Sequence, residues 1–165
     1  MMVLLPLLGD IMYASKALME FLPNIHPIAM FIIVFTVVFR AKALIPIYIF
    51  VFLTGLFNGF GAWWVGYLYI WAILWAVVML LPKNMSSKVA VPVYMAVAGL
   101  HGLMFGMLFA PSNSLFYGLN FKQTILWIEA GLPYDVIHCI GNILISSLCV
   151  PLIKAMNKAN SVFIK

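Results

Sequence analysis

The chain has 165 residues, of which 66% are apolar and only 8% charged, with a mean hydropathy of +1.15. That is more apolar surface than a water-facing fold can hide, so the expected solvent is lipid and a soluble catalytic domain is excluded. The net charge of +5 comes from cations scattered at predicted helix ends, which argues for a topology signal and against nucleic acid.

At roughly 20 apolar residues per crossing, the length allows about six membrane-spanning helices with short connections. The expected fold is therefore an all-α membrane protein, a six-helix bundle forming a single membrane domain over residues 1–165. Residues 1–8 lack a basic leader, and Asp10, Lys16 and Glu20 interrupt the apolar run that follows, so the first segment reads as a retained helix rather than a signal peptide. Hydropathy, punctuated by Pro, Gly and charge, places spans near Val3 to Leu22, Pro27 to Phe39, Ala43 to Gly61, Trp64 to Leu81, Val89 to Ala110 and Pro133 to Ile153. Residues 111–132 read as a polar turn followed by a short helix at the membrane interface. In this arrangement Arg40, Lys42, Lys83, Lys88, Lys154, Lys158 and Lys165 share one side, and only Lys122 lies on the other. The positive-inside rule then makes both termini cytoplasmic, with the loops at 23–27, 61–66 and 111–132 facing outward.

An ionisable group in a bilayer costs about 2.5 to 3.5 kcal/mol, so each one that persists calls for a partner or a role. Lys16 and Glu20 are one helical turn apart and can pair, while Asp10, Tyr13, Ala17 and Glu20 share a stripe that can face the bundle interior. In the sixth segment, GLPYDVIHCIGN, Pro133 suits the first turn of a helix and Asp135 its positive end. Asp135, His138 and Asn142 at i, i+3 and i+7 project from one face, either as interhelical hydrogen bonders or as the wall of a cavity. His101 reads as a hydrogen bonder within the bundle. Trp63, Trp64, Tyr67, Tyr69 and Trp71 form either an interfacial belt or a stacking surface for a planar ligand, which Trp127 and Tyr134 would extend. Gly55 with Gly59, and Gly102 with Gly106, place small residues one turn apart, where helix backbones can approach closely. Cys139 and Cys149 lie too far apart on one helix for a disulfide and read as packing groups. The halves show no repeat, and no nucleotide-binding loop, HExxH, paired CxxC or GxSxG motif is present. Catalysis by Asp135 and His138 as acid and base, or a purely structural role for the polar residues, are the competing classes.

EFLPNIHPIAMFIIVFTVVF (residues 20–39), GFGAWWVGYLYIW (59–71) and GLPYDVIHCIGN (131–142) resemble the substrate-binding S components of energy-coupling factor (ECF) vitamin transporters of Gram-positive bacteria. The resemblance covers nearly the whole chain. It implies a multi-pass subunit of the cell membrane that is not itself an enzyme. Such a subunit captures a vitamin outside and docks on a transmembrane coupling protein with two ATPases, which hold the ATP and magnesium; this chain would hold no cofactor. By position, the resemblance points to Asn24, His26, Trp63, Trp64, Tyr67, Tyr69, Trp127, Tyr134, Asp135 and His138 as substrate-binding residues. Family members commonly dock through AxxxA in the first helix; this chain offers Gly9, Ala14 and Ala17 instead. Cobalamin or a related corrinoid is the first expectation for the ligand. A queuosine precursor, folate or hydroxymethylpyrimidine are the alternatives, together with a self-sufficient small transporter.

Overall fold

The structure is a computed structural model that describes residues 3–163; Lys165, counted among the basic residues above, lies outside them. Among the described residues there is no strand, and the helical expectation is met. The helices are α1 (Leu4–Leu18), α2 (Ile28–Phe39), α3 (Leu44–Asn58), α4 (Ala62–Leu80), α5 (Ser87–Leu103), α6 (Phe105–Tyr117), α7 (Phe121–Ser146) and α8 (Cys149–Phe163). A 3-10 turn, Arg40–Ala43, joins α2 to α3. Three helical stretches, Ile28–Asn58, Ala62–Leu80 and Ser87–Tyr117, are long and apolar enough to cross a membrane, and α7 with Cys149–Ala159 makes a fourth, bent by 49°. The 15-residue α1 is not among these stretches.

Side-chain ties show how the helices run. Trp64 Nε1 donates to Val51 O at 2.9 Å, Tyr48 Oη to Leu68 O at 3.0 Å and Trp75 Nε1 to Arg40 O at 3.2 Å, so α4 runs antiparallel to the segment from Arg40 through α3. Asn142 bonds Ala98 O and Asp135 bonds Gly106, so α7 runs antiparallel to α5 and α6. In α2 nine of twelve residues are buried, which places it at the centre of the bundle. Lipid offers helices no hydrophobic drive to associate, so close backbone approach must carry the pairing. The α5–α7 contact is the most extensive in the molecule and is built on glycine. A Cβ on Gly99 would fall 2.6 Å from Ile143 Cγ1, and one on Gly102 would fall 3.0 Å from backbone atoms of Cys139 and His138.

The structure departs from the sequence expectations at four points. The segment after Pro111 is not a polar turn at an interface. Pro111 lies within α6, which ends on Gly118 in the left-handed region (φ 62°), and α7 begins at Phe121. Asn120 and Gln123 then close a reciprocal capping box that starts a 26-residue helix, so Pro133 falls in its interior rather than its first turn. Gly59, expected to offer a close approach one turn from Gly55, is the C-cap of α3 with φ 90° and no neighbour within 4 Å. In α1 the expected inward stripe does not face inward: Leu5, Gly9 and Met12 are buried, whereas Asp10, Ala17 and Glu20 are exposed.

Candidate functional site

The loop after α1 carries the first part of the site. Asn24 adopts φ 58°, a conformation its short polar side chain tolerates, and its Nδ2 donates to Tyr134 O on α7 at 3.4 Å. This turn ties the loop to the far side of the bundle and brings His26 in, just before Pro27 starts α2. A cavity of about 180 Å³ opens here, lined by Lys16, Met19, Glu20, Leu22, Pro23, Asn24, His26 and Tyr67. Because α1 ends at Leu18, Lys16 and Glu20 do not lie on one continuous helix, and both line the cavity instead. Burial, and next the Lys16 ammonium, hold His26 down to about 4, so its ring is neutral at pH 7.

Beneath the cavity, all three histidines of the chain meet around one tryptophan. His26 and His138 stand edge to face with ring centroids 5.0 Å apart, and Trp71 lies 6.2 Å from His26 and 5.6 Å from His101. Phe105 closes the group at 4.7 Å from His138 and 5.4 Å from Trp71. His101 Nε2 pairs with Ile70 O at 3.1 Å, the hydrogen-bonding role expected for it. The remaining polar atoms are unusual: His26 Nδ1, Trp71 Nε1, His101 Nδ1 and both ring nitrogens of His138 are buried without a protein partner. An unpaired buried polar group costs about 1–3 kcal/mol, so water or a ligand is the natural complement to these atoms. Among the described residues no group of three His, Cys, Asp or Glu side chains is placed to hold a metal ion.

The aromatic run of α4 divides by helical period. Trp63, Tyr67 and Trp71, at i, i+4 and i+8, form one stripe in edge-to-face contact at 5.3 and 5.4 Å, which descends from the cavity rim to the histidines. Trp64 and Tyr69 point elsewhere: Trp64 bonds α3, and Tyr69 Oη donates to Leu108 O of α6 at 2.6 Å. Trp127 and Tyr134 are exposed on α7, and only the carbonyl of Tyr134 reaches the site, through Asn24. The expected stacking surface is therefore a stripe of three rings rather than a sheet of seven. Tyr69→Phe should cost about 0.5–1 kcal/mol in detergent unfolding, the worth of one interhelical hydrogen bond, and leave the cavity intact.

Asp135, His138 and Asn142 do share a buried face, at 5%, 1% and 2% exposure, but their roles differ. Both carboxylate oxygens of Asp135 accept the Gly106 N–H at 3.1 Å. That N–H belongs to the first turn of α6, where no intrahelical acceptor is available, so Asp135 caps a neighbouring helix instead of opening its own. Asn142 Nδ2 donates to Ala98 O at 3.1 Å. Two of the three are thus interhelical ties, and only His138, in contact with the cavity-lining His26, keeps unused hydrogen-bonding capacity. Trp71, the hub of the cluster, was singled out in sequence only as part of an aromatic run, and Phe105 carried no polar signal at all.

Of the three small residues expected to dock a partner, Gly9 packs inside the bundle, where a Cβ would lie 2.6 Å from Ile49 Cγ2. Ala14 and Ala17 are exposed. Cys139 and Cys149 are both free thiols, but they lie on α7 and α8 rather than on one helix; Cys149 is buried against α2, with Sγ 3.9 Å from Met30 O. No protein-family model, no curated protein and no solved structure matches this chain.

Proposed function

We propose that the chain is a membrane-embedded solute-capturing subunit of the ECF S-component kind, which holds a small heteroaromatic micronutrient at the outer end of the bundle and depends on separate subunits for energy. The observation that carries this reading is the cavity lined by Asn24, His26 and Tyr67 above a buried cluster of ring nitrogens without protein partners. A planar heterocycle that both stacks and exchanges hydrogen bonds complements an aromatic stripe beside the His26 imidazole. In this reading the helices make six crossings, with α2 and α3 separate at Arg40 and the α5–α6 and α7–α8 pairs as broken crossings. Arg40 has φ 55° and ψ −124°, values that no continuing helix adopts. Both termini and the cations Arg40 and Lys83 lie on the cytoplasmic side, and Ala14 and Ala17 face the coupling protein.

The size of the cavity bears on the ligand. A volume of about 180 Å³ lies below the usual 300–1,000 Å³ of small-molecule sites. It suits a single ring of hydroxymethylpyrimidine size, whereas a corrinoid would have to rest on the rim. Purification with native partners, followed by mass spectrometry of the released small molecules, tests the proposal. A heteroaromatic compound should be retained, and His26→Ala and Tyr67→Ala should each lower its retention at least tenfold while Tyr69→Phe does not. A chain that retains no small molecule, or retains it equally in both cavity variants, would show the reading to be wrong.

A further inference from the structure

A second cavity lies at the other end of α4. It has a volume of about 290 Å³ and is lined by Val37 and Arg40 from the α2 end, Val78, Leu81, Lys83 and Asn84 from the end of α4 and the loop after it, and Tyr94 from α5. Two cations and a carboxamide thus share a recess with buried Val78 and Tyr94, and none of the chain's four carboxylates is among its lining residues. Surface lysines alone would mean little. Arg40, however, is held in place by three features. Its backbone is in the left-handed region, which is strained for a side chain of this size. Trp75 Nε1 donates to its carbonyl at 3.2 Å, and its own Nη2 donates to Met79 O at 2.9 Å. One of five guanidinium N–H groups is therefore used to fix the fork, and the others remain to serve an anion.

We propose that this recess binds a phosphate group, carried by an anionic lipid headgroup or free in solution. The fixed arginine fork matches two phosphate oxygens, Lys83 adds a second cation, and Asn84 adds donors. Val37, Val78 and Leu81 give an apolar wall suited to the glycerol and first methylenes of a lipid. The proposal is independent of the solute cavity, with which the recess shares no lining residue.

The test uses the full chain, purified in neutral detergent and read by native mass spectrometry against phosphatidylglycerol, phosphatidylcholine and inorganic phosphate. Phosphatidylglycerol should be retained at least fivefold over phosphatidylcholine. Lys83→Gln should lower that retention about fivefold, the factor one cation near an anionic surface is worth. Lys83 is exposed, so this variant leaves folding undisturbed, whereas Arg40→Gln also loses the tie to Met79. Lys122→Gln, on a residue that does not line the recess, should change nothing. Displacement of the lipid by millimolar phosphate assigns the free anion as a competing occupant; no displacement assigns the lipid alone. Equal retention of the two lipids with no bound phosphate overturns the proposal, as does an equal loss from Lys83→Gln and Lys122→Gln. Lys83→Gln should leave solute retention unchanged, so failure here is distinguishable from failure of the function proposed above.

Discussion

Trp71→Ala should destabilise the protein by about 3 kcal/mol, the largest single-residue loss expected from any side chain in the bundle. The indole is fully buried and lies within 5.4–6.2 Å of the rings of Tyr67, Phe105, His101, Phe50 and His26, so α3, α5, α6 and the loop before α2 lose a common partner on α4 at once. In lipid this loss is mainly of dispersion contacts, since apolar surface gains little by leaving one apolar medium for another. Trp71→Phe separates packing from polarity. It keeps most of the ring and removes an N–H that has no protein partner, so its stability cost should stay below about 1 kcal/mol. If a solute or ordered water accepts from that N–H, the same variant should weaken solute retention while barely moving the unfolding midpoint. Denaturant titration in mixed micelles measures both variants; a loss from Trp71→Ala no larger than that from Trp71→Phe would mean that the cluster collapses around the gap.

The contrast between these two variants also explains what was legible in the sequence. Composition alone points to lipid as the solvent, and the long apolar runs make the chain helical rather than a barrel of short alternating strands. The start of α7 is ambiguous in sequence because two local signals compete. Pro133 reads as a first-turn residue, yet Asn120 and Gln123 form the capping pair, and an exposed proline can sit inside a helix when its neighbours tolerate the lost N–H. Helical period placed Asp135, His138 and Asn142 on one face correctly. It could not show that Gly106 and Ala98 would take up two of them, since those partners lie on another helix. The convergence of His26, His101 and His138 is beyond any local reading, because it depends on how the loop before α2 meets α5 and α7.

Gly102→Val should be nearly as damaging, for the opposite reason: it adds volume where none exists. A Cβ there would meet Asn142 Nδ2 at 2.8 Å and backbone atoms of Cys139 and His138 at 3.0 Å. The amide of Asn142 can swing aside, but a helix backbone cannot, so α5 and α7 must separate by a few tenths of an ångström or more. Separation would stretch the Asn142–Ala98 and Asp135–Gly106 bonds and open the floor beneath His138. We expect a loss of about 2–3 kcal/mol in the same micelle assay, within the range of overpacked cores. Gly131→Ala is the control, because a Cβ there meets nothing within 4 Å and the substitution relieves a helical glycine; it should raise stability by about 0.5–1 kcal/mol. If Gly102→Val and Gly131→Ala behave alike, α5 and α7 are not in close backbone contact, and the helix that carries His138 against His26 is held in some other way.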